Sequence, residues 1–221
     1  MKDRLLIVSA GDFGREVLCW ALQVPERCRS WEVGGFLDNR PNLLDDMNLP
    51  VGIVGNPETF LHGEHDVLVI AVGSPIERKK LAVMLKSKGA RFASIVHPSV
   101  IMGLNNQWGE GCIFCPGVVI NTNVTIGNHV IFNSQSGAGH DVVVGDYCTM
   151  SGAVDLTGHV RLGEGVMCGS HASVTPGSKV GDYAVIGAGS VVLRRVSPYT
   201  TVMGVPAKEV WKSTPPSIEQ A

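Results

Sequence analysis

A chain of 221 residues has room for one large domain or two small ones, each with its own core. Charged residues make up 17% of it and the formal net charge is −2, which gives no basis for electrostatic capture of nucleic acid or of an acidic membrane. Met1 leads into a strand-like run without the apolar core of a signal peptide, and no apolar run approaches the ~20 residues of a membrane span, so the expected location is the cytoplasm.

Leu5 to Ser9 reads as a buried strand and Arg15 to Val24 as a helix, with Ser9-Ala10-Gly11-Asp12-Phe13-Gly14 as the turn between them. Glu32 to Leu37 reads as a second strand ending at Asp38-Asn39, Asp66 to Val72 as a third, Ile76 to Lys88 as a helix and Arg91 to Ile95 as a last strand. The order β-α-β-(α)-β-α-β predicts a small Rossmann-like α/β domain over residues 1–93, a parallel sheet covered by helices. A helix that starts after a glycine turn offers free backbone N–H groups to phosphate. Ser9 stands where G-x-G-x-x-G has its first glycine, so the turn alone is a weak fingerprint and a turn that is tight only for packing is the alternative. Asp38 strengthens it, because an acidic residue at the end of the second strand accepts hydrogen bonds from a ribose or a base edge. The fragment suits one nucleotide better than two.

From about residue 94 the texture changes. Glycines fall at Gly109, Gly127, Gly145, Gly163 and Gly181, one every eighteen residues, each after an apolar or aromatic residue and before Glu, Asn or Asp. Stepping by six from Phe114 to Val192 meets only residues able to face a core, among them Phe132, Ala138, Met150, Cys168 and Ile186. No helix has a six-residue period. Six-residue units in threes predict a parallel β-helix over residues 94–196, three short strands and three turns per coil. Residues 197–221 form a C-terminal extension, with the Pro215-Pro216 tail expected to be extended or disordered.

Eighteen-residue arithmetic then names neighbours, because successive coils stack about 4.8 Å apart. His140 stacks between Thr122 and Gly158, and Asp141 between Asn123 and His159. His140 is not at an inward position, so it points from a turn into solvent or a partner subunit. An imidazole below a side-chain-free Gly158 is a useful pair for acyl transfer: a base for the attacking group and an amide donor for the oxyanion. Asp141 orients the ring. A solvated surface histidine is the alternative, and it is the reading adopted for the other six. The six cysteines include a Cys112-x-x-Cys115, but no second CxxC completes four zinc ligands and no histidine pair has the close spacing of a three-histidine zinc centre. No metal is expected, and the cysteines in the repeat are read as small apolar residues.

Together these residues resemble the bacterial amino-sugar and sialic-acid acyltransferases of the NeuD/PglD type over nearly the full length. The motifs are Ile7 to Glu16, Gly35-Phe36-Leu37-Asp38, Ala71-Val72-Gly73-Ser74, Ile95-Val96-His97-Pro98, Asn133 with His140-Asp141, Ile186 to Ser190, and Gly204-Val205-Pro206-Ala207-Lys208. The resemblance implies a left-handed β-helix, a homotrimer about the helix axes, and acetyl-CoA as co-substrate in the groove between helices. It implies transfer of an acetyl group to the amine of a nucleotide-linked amino sugar of the 4-amino-4,6-dideoxy type, or to a hydroxyl of a sialic acid or sugar. By position, His140 becomes the general base, Asp141 its partner and Gly158 the oxyanion amide. Gly11, Asp12, Phe13, Asp38, Asn39 and Gly73 become nucleotide-sugar contacts, and Asn133 lies near the acceptor group. Ser170, Ala188 and Lys208 become CoA contacts. The chain departs from the pattern at Ser9, at Gly137-Ala138-Gly139, and at Thr149, a position sometimes held by a second histidine.

Two other classes stay open on the sequence: a non-enzymatic trimeric scaffold with a nucleotide sensor, and a nicotinamide-dependent oxidoreductase with a structural tail. Absence of CoA binding together with tight nucleotide binding would favour the first, and the incomplete glycine fingerprint already counts against the second.

Overall fold

The computed structural model of the chain describes residues 2–214, so the Pro215-Pro216 tail lies outside the described residues. The first domain is a five-stranded parallel sheet: β1 (Asp3–Val8), β2 (Trp31–Leu37), β3 (Ile53–Gly55), β4 (Asp66–Ile70) and β5 (Arg91–Phe92), in the order β3-β2-β1-β4-β5. Helix α1 (Asp12–Gln23) follows β1, and α2 (Pro75–Ser87) follows β4. Ser74 caps α2, its Oγ accepting from the Glu77 N–H at 3.4 Å, and Pro75 supplies the first helical residue, whose N–H would have no partner anyway.

Three expectations need correction. Helix α1 starts at Asp12 rather than Arg15, which puts Asp12, Phe13 and Gly14 inside its first turn. The helix expected between the second and third strands is absent among the described residues; turns and the short β3 take its place, as Pro41, Pro50 and three asparagines without an apolar 3.6-residue period would dictate. The last strand is divided, Arg91–Phe92 closing the sheet and Ile95–Val96 opening the β-helix.

The β-helix has three faces. The first carries Ile95–Val96, Ile113–Phe114, Ile131–Phe132, Thr149–Met150, Met167–Cys168, Val185–Ile186 and Thr200–Met203, to which Lys208–Lys212 adds as an antiparallel edge. The second runs from Ile101–Met102 to Val191–Val192 and the third from Gln107–Trp108 to Arg195–Val196, six strands each. Between these ends the register advances by eighteen residues per step, as in Ile113 to Ile131 to Thr149. Phe114, Ile120, Phe132, Met150, Leu156, Cys168, Val174 and Ile186 are all fully buried, so the six-residue period is the core. All six cysteines are free thiols, and the four in the repeat are buried there.

On the first four coils of the first face the outward residues Ile95, Ile113, Ile131 and Thr149 are buried too. Ile113 and Ile131 have at most 1% exposure although they point away from the core, because the first domain sits on them. Leu5 and Ile7 from β1, Val17, Leu18 and Ala21 from α1, and these isoleucines form one continuous apolar cluster; the opposite sheet face, with Leu6, Val8 and Leu68, packs on Ala82 and Leu85 of α2.

A polar tie completes the junction. Arg78 of α2 is fully buried, and its guanidinium donates from Nε to the His129 carbonyl (2.8 Å), from Nη1 to those of Val72 (2.5 Å) and Gly73 (3.1 Å), and from Nη2 to those of Tyr147 (2.6 Å) and Cys148 (3.0 Å) and to Thr149 Oγ1 (2.8 Å). Burial pulls its pKa down to about 10, which still leaves it a cation at neutral pH. Lys79 to Glu164 (2.6 Å) and Lys86 to Glu110 (2.7 Å) flank it. Replacing Arg78 by Met strips several buried carbonyls of their donor, and the expected loss of about 3 kcal/mol should lower the midpoint of a thermal scan by roughly 6–12 °C.

Candidate active site

The chain brings its candidate residues together at two places. The first is the C-terminal edge of the parallel sheet, where the strand order reverses between β1 and β4 and loops leave a crevice. Ser9 there has φ +80, a conformation glycine adopts freely and serine rarely, and a Cβ on Gly14 would overlap the Ser9 carbonyl oxygen. Gly11 is the α1 N-cap and its helix end has no side-chain cap, so N–H groups remain free for an anion. Asp12 is almost fully exposed and pairs with Arg15 at 2.5 Å, whereas Phe13 packs edge-on against Trp20 with ring centroids 5.9 Å apart. Asn39 is exposed. Gly73 turns its carbonyl toward Arg78 and Thr149 Oγ1 (2.8 Å).

Asp38 is only 6% exposed and its oxygens are engaged. One accepts from the Ala10 N–H (2.8 Å) and Arg40 Nη2 (3.0 Å), the other from the Arg40 N–H (3.0 Å) and Nε (2.9 Å). Asp38 therefore fixes both the glycine turn and the half-exposed guanidinium of Arg40 beside Gly11, a cation that sequence reasoning missed.

The second place is the corner between the second and third faces. His140 Nδ1 donates to Asp141 Oδ2 at 2.8 Å. A carboxylate only accepts, so in the neutral ring this bond puts the proton on Nδ1 and leaves the Nε2 lone pair free. Asp141 Oδ1 accepts from Asn123 Nδ2 (3.2 Å), whose Oδ1 accepts from Asn105 Nδ2 (3.1 Å). The bond from His140, then that from Asn123, holds the Asp141 carboxyl below its ordinary range. A Cβ on Gly158 would come within 2.6 Å of His140 Nε2, so only glycine lets the imidazole lie there. Among the described residues no acceptor takes the Gly158 N–H. The His140 Nε2 and the unclaimed Gly158 amide thus lie one coil apart at the same corner.

Asn133, Ser170 and Ala188 sit elsewhere, on the corner between the first and second faces. Asn133 Oδ1 accepts from the Ser134 N–H at 2.7 Å, and Ala188 stacks over Gly169 next to Ser170. Lys208 is exposed in the terminal strand opposite Met203. Thr149, buried under Gly73 on the first face, is part of the domain junction in this chain. One chain therefore divides the candidate residues between two corners.

Residues 4–85 match the PglD N-terminal domain family, and residues 159–194 match the bacterial transferase hexapeptide repeats. The GDP-perosamine N-acetyltransferase of Escherichia coli O157:H7 is 29% identical over 221 residues, covering 96% of this chain and 98% of that protein. The chain belongs to the PglD-type hexapeptide-repeat acetyltransferases. Its fold superposes on PerB from Caulobacter crescentus, solved with CoA and GDP-perosamine, with a TM-score of 0.83 at 28% identity over 93% of this chain and 96% of that one. The serine acetyltransferase of Salmonella typhimurium LT2 is 30% identical over 173 residues, 74% of this chain, but the chain spans only 57% of that protein.

One more feature of this acetyltransferase escaped the sequence. The corner after Val192 has two residues, Leu193 and Arg194, where the coil beneath has four, Thr175 to Ser178. The deletion leaves a recess of about 290 Å³ over Gly177, lined by Lys179, Arg194 and Arg195, none of which has a carboxylate partner among the described residues. Arg161, Lys179 and Arg195 are direct cross-strand neighbours, and like charges so placed repel unless an anion joins them. The broader cleft of about 310 Å³ beside Phe92, Glu110 and His129 lies on a different corner from His140.

The Asp38 carboxyl carries a testable pH dependence. Burial works to raise it, but the Arg40 guanidinium and the Ala10 and Arg40 N–H donors outweigh burial and hold it below 3.8. A lowered carboxylate stabilises the fold above its ordinary pKa and loses that contribution as pH falls through the folded value. Asp38→Asn should melt below the parent at neutral pH, and the gap should close as pH falls from about 5 toward about 2; a gap constant with pH would assign the stability to packing alone.

Proposed function

We propose that the chain transfers an acetyl group from acetyl-CoA to the amine of a nucleotide-linked 4-amino sugar. The observation that carries this reading is the pairing of a free His140 Nε2 with the unclaimed Gly158 N–H at one corner of the β-helix. The neutral amine attacks the thioester carbon, Nε2 removes its proton, and Asp141 stabilises the imidazolium. The Gly158 N–H holds the tetrahedral oxyanion. Collapse breaks the carbon–sulfur bond, and the departing thiolate takes the proton back from His140, giving the amide and free CoA with no covalent enzyme intermediate.

The crevice of the parallel sheet takes the nucleotide: the glycine turn and α1 N-terminus face its phosphates, with Asp38 and Asn39 beside them. The GDP-perosamine relatives make a GDP-linked sugar the first acceptor to test. Because Asn133, Ser170 and Ala188 occupy a corner other than that of His140, a complete site on this reading needs a second copy, which supports the homotrimer. The cations around the recess at Gly177 lie about 10 Å, two coils, above His140 along the same corner, suited to the phosphates of CoA, with Lys208 as a further contact.

Thiol release from acetyl-CoA, measured against a panel of nucleotide-linked 4-amino sugars, free sialic acid and simple hydroxyl acceptors, tests the reading. Turnover with hydroxyl acceptors alone would replace N-transfer by O-transfer, and none with any acceptor would remove the enzyme. His140→Ala should lose about 10²–10⁴ in turnover while still binding CoA, and near-normal turnover would take His140 out of the role. Arg194→Gln combined with Arg195→Gln should raise KM for acetyl-CoA roughly tenfold to a hundredfold with kcat little changed; an unchanged KM would put the phosphates elsewhere.

A further inference from the structure

The coil stacking brings together two histidines nineteen residues apart. His159 lies one coil above Asp141, with its Nε2 3.9 Å from the same Asp141 Oδ2 that holds His140, and the two imidazoles meet edge to face with centroids 4.9 Å apart. One donor atom from each of His140, Asp141 and His159 falls within 4.8 Å of the others. A tetrahedral zinc with bonds near 2.0–2.1 Å needs donors about 3.3–3.5 Å apart, a spacing the present separations bracket, so side-chain rotation suffices.

We propose that His140, Asp141 and His159 form a binding site for a divalent transition-metal ion of the zinc class, and that occupancy turns the acetyltransferase off. Two imidazoles and one carboxylate select zinc, cobalt, nickel or copper over magnesium and calcium, which take oxygen donors. The backbone beneath the donors is fixed, since the His159 N–H donates to the His140 carbonyl (2.9 Å) and the Asp141 N–H to that of Thr122 (3.0 Å). Asn123, itself held by Asn105, orients the carboxylate as an outer-shell partner does in metal sites. The imidazoles are 61% and 64% exposed, which leaves the ion an entry path and a fourth position for water.

Inhibition follows from the tautomer. The metal takes the Nδ1 lone pair of His140, so the proton now on Nδ1 moves to Nε2 and the ring stays neutral. Nε2 then faces Gly158 as a donor and cannot accept a proton from the amine. The ion is an inhibitor here, and no resident metal is required for turnover.

Calorimetric titration of the full chain with Zn2+, in a Cys19→Ser and Cys28→Ser background that removes the two exposed thiols, tests binding without any acceptor and so stands apart from the acceptor question. One Zn2+ per chain is expected, with Mg2+ inert. Where acetyl transfer is measured, Zn2+ should abolish it and EDTA restore it. His159→Asn keeps a residue that tolerates the φ of +62 at this corner. It should bind Zn2+ at least about tenfold more weakly while retaining metal-free turnover within about twofold. Equal Zn2+ affinity in His159→Asn and parent would overturn the site, and Zn2+ that binds through His159 yet leaves turnover untouched would overturn the inhibition.

Discussion

Everything beyond residue 95 depends on each coil returning its backbone to the hydrogen-bonding groups of its neighbour. The Ile131 N–H reaches the Cys148 carbonyl, the Thr149 N–H that of Val166 and the Met167 N–H that of Ala184, always seventeen residues ahead and at 2.9–3.0 Å. A slip of one residue would turn every inward side chain outward. The last coil shows how the rule is relaxed: Arg195 pairs with Lys179 sixteen residues behind it, and a deletion of two preserves the alternation that a deletion of one would destroy. The cost is an open corner, and cations gather around it.

The first domain is held to this scaffold by a charge without a countercharge. Arg78 has only carbonyl oxygens and one hydroxyl for partners, so its solvation in water is replaced by dipoles that the β-helix corner and the Val72-Gly73 turn already aim inward. A guanidinium can serve two domains at once because its donors lie in a plane and point in several directions. The same Gly73 carbonyl that receives Arg78 belongs to the crevice at the end of β4, and Thr149 joins it from the β-helix. Position of the crevice relative to the coils is thereby set by hydrogen bonds at its own rim rather than by a flexible linker.

Most of the β-helix was legible because its signal is an arithmetic one. Phe114, Phe132, Met150 and Cys168 could be placed inward from the six-residue step, and the stacking of His140 with Gly158 followed from the eighteen-residue step. What was not legible depended on contacts between segments that share no period. Arg78 sits in a helix whose sequence shows only an exposed-looking Arg-Lys-Lys run. A clue did exist on the first face, where Ile95-Val96, Ile113-Phe114 and Ile131-Phe132 are apolar at both positions while Thr125-Ile126 on the third face is polar outside and apolar inside. The doublet alone does not decide it, because Ile101-Met102 and Val119-Ile120 on the second face are also apolar at both positions and leave their outer residues exposed. Asp38 was read as a ligand contact from its place after β2, but its saturation by Ala10 and Arg40 depends on rotamers that position alone does not determine.

The site also reflects what the corner backbone tolerates. Along the corner that carries His140, the residues at positive φ are Asn105, Asn123, Asp141, His159 and Gly177, between +60 and +72. Left-handed conformations admit glycine, asparagine, aspartate and histidine more readily than β-branched or bulky apolar residues, because short polar side chains bond to the local backbone or to each other. Those permitted types are also the ones that hold a proton, orient an imidazole or ligate a metal. This corner is thus filled with chemically capable residues of the types its backbone tolerates, and stacking turns them into a column, whereas the other corners hold Tyr147, Tyr183, Gln135 and Ala153 at the same conformation. Within that column one position distinguishes the coil of His140: Gly158, beside the left-handed His159, has no side chain, so the ring below it can lie there.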